Sequence, residues 1–309
     1  MDLLNRIKSS FSFRTKDIFL RFMKRTASLW PNELYLKIRY YIYFGHKLNL
    51  KNPQTFNEKI QWLKLNHCPP IYSMLVDKYL VKKYVAGLIG EKYIIPTIGV
   101  WDDADNVDFE SLPEKFVLKC NHNSGLGMFI CKDKSKIDEQ KVRKGLREGL
   151  NEKYYKMAHE MQYKGVKPLI IAEEYIEDKS GEGLTDYKFF CFDGVVKMCG
   201  VFSNRFSVGK FSVNYYDTNW KVLPISSKKL PSNPNIIVEK PQNFEKMIEI
   251  ASALSKGFPH VRVDLYNVEG KIYFGELTFT HNGGMDPFIP EEWDYTIGSW
   301  IKLPNLTHK

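Results

Sequence analysis

Residues 258–284, FPHVRVDLYNVEGKIYFGELTFTHNGG, narrow the folds open to this chain more than any other stretch. Val261, Val263 and Leu265 alternate with Arg262, Asp264 and Tyr266, the period of a half-buried strand. After a short turn, Tyr273, Gly275 and Leu277 alternate with Phe274, Glu276 and Thr278. A three-residue turn with Gly270 in the left-handed position pairs Asn267 with Lys271, Asp264 with Phe274 and Arg262 with Glu276. Arg262, Asp264, Glu276 and Thr278 then share one face, whereas a two- or four-residue turn separates the acids. In that register the carboxylates lie diagonally, about 7 Å apart. Their repulsion at an effective dielectric of about 20 is about 2 kcal/mol. Two readings relieve it. Arg262 neutralises Glu276 as a structural ion pair, or the acids hold a divalent cation, since hard ions such as Mg²⁺ take carboxylate oxygens and share them with phosphates.

The rest of the chain bounds these readings. Its 309 residues suit two domains or one large α/β body with an extension. The net charge of +9 is concentrated at one end. Residues 1–50 hold ten Lys or Arg against three acids, a net of +7, so the other 259 residues carry only +2. Within 3–46 these bases interleave with Leu, Ile, Phe, Trp and Tyr, which predicts two or three basic amphipathic helices. They either cap the main body or contact an anionic membrane surface or an acidic glycan. No nucleic-acid-reading module accompanies the charge. Cys68, Cys120, Cys131, Cys191 and Cys199 are odd in number and sit mostly in apolar runs, as reduced thiols of a cytosolic protein do. There is no CxxC pair, HExxH motif, 18-residue apolar span or signal-peptide core.

Along the chain, NPQTFNEKIQWLKL opens a helix with a capping box from Thr55 to Glu58. A second helix runs through SMLVDKYLVKKYVAG, and strands follow at EKYIIPTIGVW and LPEKFVLKC. NHNSGLGMFIC is a glycine loop entering a strand, a long helix spans about 138–163, and PLIIAEEYI is a strand. TDYKFFCF-DG-VVKMCGVF is a hairpin, 204–240 is loop-rich, and 243–255 is a helix.

Four further features are ambiguous singly. Lys119 ends an apolar strand, where a lysine needs an anion. Ser124, Gly125 and Gly127 form a loop whose amides suit phosphates. Glu173 and Glu174 close a buried strand, and Asp186 and Lys188 share a hairpin face. The order Lys78, Lys119 with its loop, E-E-Y-I, D-x-K, R-x-D and E-x-T resembles the ATP-grasp superfamily from about 75 to 284. NPQTFNEKIQWLKL, VDKYLVKKYV, LPEKFVLKCNH, DYKFFCFDG and RVDLYN resemble its TupA-like branch over roughly 51–290, a branch associated with bacterial cell-surface polysaccharide biosynthesis.

The resemblance implies an α+β fold in which two subdomains clasp ATP. It divides the chain into a basic extension (1–50), a preceding segment (51–114), a small subdomain with the glycine loop (115–177) and a C-terminal subdomain with the metal hairpin (178–309). It implies that Lys78 and Lys119 bind phosphates beneath Ser124, Gly125 and Gly127. Glu173, Glu174, Tyr175 and Ile176 would form the adenine edge, and Asp186 would hold the ribose. Lys188 and Arg205 would hold the γ-phosphate, and Arg262 would stabilise charge on the transferring group. Asp264, Glu276 and Thr278 would hold Mg²⁺, with Thr278 standing where asparagine often serves. His281, Asn282, Gly283 and Gly284 would form an acceptor pocket. The implied reaction activates a carboxylate as an acyl phosphate for attack by an amine. Its partners would be an acidic glycan or lipid-linked saccharide and an amino acid, and its place the cytoplasm or the inner membrane face. The rivals are a kinase acting on a sugar hydroxyl, a glycosyltransferase, or a non-catalytic nucleotide-binding module of an assembly complex.

Overall fold

A computed structural model describes residues 13–177, 183–203, 211–233 and 235–305. Helices α1 (Phe13–Arg25) and α2 (Asn32–Phe44) come first, followed by α3 (Phe56–Asn66), α4 (Ile71–Val76) and α5 (Leu80–Ile89). Strands β1 (Thr97–Trp101), β2 (Phe116–Cys120) and β3 (Phe129–Cys131) precede α6 (Glu139–Leu150), α7 (Tyr154–Ala158) and β4 (Ile170–Glu174). The chain continues through β5 (Asp186–Phe192), β6 (Val195–Ser203), β7 (Ser212–Tyr216), β8 (Val222–Leu223) and β9 (Ser226–Ser227). It ends with α8 (Phe244–Ser255), the hairpin β10 (Val261–Val268) and β11 (Lys271–Thr278), then β12 (Phe288–Ile289) and α9 (Glu292–Trp300).

Two antiparallel sheets organise these elements. The small one has the order β1-β4-β2-β3, and the large one β11-β10-β5-β6-β7-β8. Under the small sheet, Val142 and Leu146 of α6 meet Phe116, Leu118, Ile170 and Ala172. The large sheet is covered on both faces. On one, α5 and α8 bring Val85, Met247 and Leu254 onto Phe189, Val263 and Leu265. On the other, α3 and α9 bring Phe56, Ile60 and Ile297 onto Phe190, Met198 and Tyr215. This explains why β5 is apolar without alternation and buried throughout. It also corrects the half-buried reading of β10, where all of residues 261–265 are buried.

Local sequence sets several boundaries. The Thr55–Glu58 capping box makes both of its hydrogen bonds. Asp193 (φ 47°) and Gly194 (φ 81°) form the two-residue turn between β5 and β6. Three boundaries differ from expectation. The second predicted helix breaks between α4 and α5, because the Asp77 carboxylate accepts from the amides of Tyr79 (2.8 Å) and Leu80 (3.2 Å). The predicted 138–163 helix stops at Leu150, and α7 ends with His159 in the left-handed region (φ 51°). Gly149 there packs so closely on Gly127 that an added Cβ would approach its Cα to 3.0 Å. The loop-rich reading of 204–240 misses β7, β8 and β9.

The N-terminal helices lie on the body. Tyr35, Leu36, Ile38 and Tyr40 of α2 form a core with Met23, Ala27, Leu48 and Met285. All five cysteines are free thiols. Among the described residues no helix is long and apolar enough to cross a membrane.

Candidate active site

The two sheets face each other across a cleft of ≈ 380 Å³. Val117, Met128, Ile130 and Ile95 make its apolar wall, Tyr266 and Gly275 its opposite side, and Glu174, Tyr175 and Ile176 its rim. At its base Glu173 is 4% exposed. Its two oxygens accept from Lys119 (2.5 Å) and Lys82 (2.7 Å). Burial acts to raise the Glu173 carboxyl, but the two ammonium groups outweigh it and hold the group below its ordinary value. Lys82, bound also by the Ile95 carbonyl and Thr97 hydroxyl, is a site residue that the sequence reading missed. It lies on α5, four residues after Lys78, and that spacing is the only local signal for it.

The glycine loop is pinned at its foot. The Asn123 amide donates to the carbonyls of Leu126 (3.0 Å) and Gly149 (3.2 Å). Gly125 (φ 95°) and Gly127 (φ 73°) are both in the left-handed region. Lys78, turned out of the helix by the break at Asp77, donates to the Asn123 carbonyl at 2.5 Å.

Across the cleft, the hairpin differs from the predicted register. Glu269 (φ 51°) and Gly270 (φ 83°) make a two-residue turn, so Val268 pairs with Lys271 and Leu265 with Phe274. A bulge at Gly275 then restores the acids to one face. Beyond it Asp264 pairs with Glu276 and Arg262 with Thr278, so the acids are directly opposite and not diagonal. A Cβ on Gly275 would lie 3.1 Å from the Asp264 carbonyl oxygen, which is why this position suits glycine. On the other side Asp264 pairs with Lys188 of β5. Lys188, Asp264 and Glu276 therefore form one cross-strand row.

Arg262 ties this row together. Its Nε and Nη2 donate to the two Asp264 oxygens (2.6 and 2.7 Å), and Nη2 also reaches Glu276 (3.0 Å) and Thr278 (3.1 Å). Lys188 forms a further short ion pair with Asp264 and lies 3.5 Å from Asp186. Nη1 contacts His281 Nδ1 at 2.7 Å. Arginine can only donate, so this nitrogen accepts. Burial first, then the Arg262 charge, push His281 well below its ordinary value and keep the ring neutral. For Asp264, burial raises the carboxyl against the pull of Arg262 and Lys188. For Glu276, burial is overridden by Arg262, Lys78 and Lys188, which hold the carboxyl at about 2. Its side chain is 41% exposed, against 3% for Asp264. Both an ion pair and an ionised carboxylate at the cleft are thus present.

A model of the TupA-like ATP-grasp family matches residues 58–302. The chain belongs to that family. Among solved structures, this ATP-grasp protein is similar to the D-alanine–D-alanine ligase of Helicobacter pylori (16% identity, 81% of this chain and 69% of that one, TM-score 0.44). It is also similar to the ATP-complexed D-alanine–D-alanine ligase of Bacillus anthracis (16% identity, TM-score 0.38). That match covers 67% of this chain and only 54% of that ligase. A third likeness is to the D-cycloserine synthetase DcsG (13% identity, 75% and 72% coverage, TM-score 0.39). No curated protein sequence matches significantly.

Lys119, Glu173, Glu174, Tyr175 and Ile176, all expected to bind nucleotide, line the cleft. Lys78 is tied to the glycine loop through Asn123, and Asp186, Lys188, Arg262, Asp264, Glu276 and Thr278 form one charged network on the large sheet. Of the four residues expected to bind an acceptor, Asn282 and Gly283 line a second, smaller pocket. His281 is engaged by Arg262, and Gly284 is packed so tightly that a Cβ would come within 2.3 Å of Gln61. The Gly283 amide donates to the Thr280 carbonyl at 2.8 Å. Arg205 lies outside the described residues.

Proposed function

We propose that this protein is an ATP-dependent carboxylate–amine ligase. The observation that carries the reading is the charge order across the cleft. A lysine-lined wall under a positive-φ glycine loop faces an ionised carboxylate, with a buried arginine behind it. Adenine fits the apolar wall against Glu174, Tyr175 and Ile176, with Asp186 toward the ribose. Lys78 and Lys119 take phosphates as point charges, with Ser124, Gly125 and Gly127 above them. Lys188 lies toward the γ-phosphate.

The hairpin's donors fit Mg²⁺. Asp264, Glu276 and Thr278 are hard oxygen donors on one face, and Glu276 is both ionised and partly exposed. Among the described residues no group of three or more His, Cys, Asp or Glu is placed to hold a metal ion by itself. Two carboxylates completed by substrate phosphates suit Mg²⁺ better than an all-protein cage. When bound, the ion neutralises charge on the phosphate oxygens. Arg262 keeps its orientation through Asp264 and the neutral His281, and so presents a fixed positive charge to the transferring group. The reaction joins an acid to an amine and yields ADP and phosphate. The association of TupA-like proteins with cell-surface polysaccharides supports an acidic glycan or lipid-linked saccharide as the acid and an amino acid as the amine. It supports the cytoplasm, or the inner membrane face, as the place of action.

The test is incubation with ATP, Mg²⁺, oligosaccharides of glucuronic acid and an amino-acid mixture. Equal ADP and phosphate, with a glycan heavier by one amino acid less water, is the expected result. Phosphate retained on the glycan would make the protein a kinase. ATP binding without any ADP formation would leave a binding module.

A further inference from the structure

We propose that the N-terminal helices complete a site for a zwitterionic α-amino acid, the amine substrate; this inference rests on the ligase reading. A pocket of ≈ 290 Å³ opens where α1, α2, the glycine loop and the turn after β11 meet. Lys24, Arg39 and Lys64 contribute positive charge to its wall, and Glu152 and Glu160 negative charge. The first two lie in the basic extension, outside the family match. Tyr35 holds that extension in place by donating to the Met157 carbonyl (2.9 Å) and stacking on His159 (3.8 Å between ring centres).

The charges are incompletely matched. Among the described residues neither Lys24 nor Arg39 has an ion-pair partner; Arg39 lies over the rings of Tyr35 and Tyr43 (5.3 and 5.8 Å). Lys64 donates to the Ala158 carbonyl at 2.9 Å, and Glu160 accepts from Thr280 at 2.6 Å. Glu152 Oε2 is buried with no hydrogen-bond partner among the described residues. An acceptor buried in this way calls for a donor. Lys24 acts on Glu152 and Lys64 on Glu160 through space, so the wall keeps one positive charge in excess, which calls for an anion. A ligand of one sign meets only half of this demand. An α-amino acid meets both, its ammonium toward Glu152 and its carboxylate toward Lys24 and Arg39. The size agrees, since ligand pockets commonly span about 300–1,000 Å³ and this one is at the small end. So does the position. Ser124 of the glycine loop is on one wall. On another is Asn282, adjacent to the His281 that receives Arg262. An amine held here is delivered beside the phosphate end of the cleft.

The test is titration calorimetry on the full chain loaded with Mg²⁺ and the non-hydrolysable analogue AMP-PNP. The probes are the twenty standard L-amino acids and, for each binder, its decarboxylated amine and its deaminated acid. The expected result is an amino acid that binds at least tenfold tighter than either analogue. Lys24→Ala and Arg39→Met should each weaken it at least fivefold while AMP-PNP affinity stays within twofold. Normal AMP-PNP binding with no amino-acid binding overturns the inference. So does equal binding of the decarboxylated amine, or affinity within twofold in both variants. Failure of AMP-PNP to bind overturns the ligase reading and this inference with it.

Discussion

Replacing Glu173 by Gln removes one negative charge from a base that holds two positive ones. Both Lys119 and Lys82 lie within 2.7 Å of opposite oxygens of this carboxylate, so their nitrogens are no more than about 7 Å apart. Without the anion, their repulsion at an effective dielectric of about 20 is about 2 kcal/mol. To this is added the weakening of two charge-assisted hydrogen bonds, normally about 1.5–3 kcal/mol each. Rearrangement of the lysines toward the open cleft offsets part of the sum, which leaves the range of about 3–5 kcal/mol typical of a broken buried ion pair. For a chain of 309 residues, whose unfolding entropy is about 0.65 kcal/mol/K, that lowers Tm by about 5–8 °C. The assay is thermal unfolding of wild type and Glu173→Gln, with and without ATP and Mg²⁺. Phosphates entering the cleft supply the missing negative charge, so ATP should raise Tm more in the variant than in the wild type. A variant within 2 °C of wild type, or a smaller ATP-induced rise, would refute the reasoning.

Gly275→Ala should cost about 1–3 kcal/mol, because its Cβ meets backbone 3.1 Å away at the bulge that aligns the two acids; denaturant unfolding and the KM for ATP, which should rise, check it. Glu276→Gln should abolish ATP turnover in a chain that still folds, and unchanged turnover would reduce the hairpin to an ion pair. Glu276 is also the source of a pH effect. Its folded value of about 2 lies below its ordinary 4.5, so its contribution is fully present above the unfolded value and is lost as pH falls from there toward 2. Tm-versus-pH profiles of wild type and Glu276→Gln should therefore converge on acidification. At the N-terminus, Ile18 and Phe22 of α1 are 62% and 53% exposed among basic side chains. Flotation should show salt-sensitive binding to anionic vesicles, reduced by the Ile18→Ser, Phe22→Ser double variant; no binding by the intact protein would leave the helices as a cap alone. Deleting residues 1–46 is the poorer test, since it uncovers the core around Leu48 and Met285.

Short-range chemistry was the most legible part of the sequence. Thr55 and Glu58 announce their own cap, and Asp193-Gly194 its turn, because each needs only neighbouring residues. The site's residues were legible as an ordered series, and the family match follows that order. Registers set by one residue were harder. Gly275 reads as one more alternating position until a bulge makes it extra, and only then does Glu276 return to the Asp264 face. The helix break at Asp77 was hidden for a similar reason. The residues around it favour helix, and the carboxylate that ends α4 also accepts from Asn121, 44 positions away (3.0 Å). Lys82 was illegible because its role depends on a strand about ninety residues later. The mixed-charge pocket was illegible because α1 and α2 meet the glycine loop only in three dimensions.

The central claim is that the cleft between the sheets holds ATP phosphates on Lys119, and titration calorimetry of ATP with Mg²⁺ into wild type and Lys119→Ala tests it most directly. A charge-assisted phosphate contact contributes about 1.5–3 kcal/mol, which predicts a dissociation constant at least about tenfold higher in the variant. An increase of less than about twofold, in a variant whose thermal unfolding shows an intact fold, would mean that Lys119 serves Glu173 alone and that the nucleotide lies elsewhere.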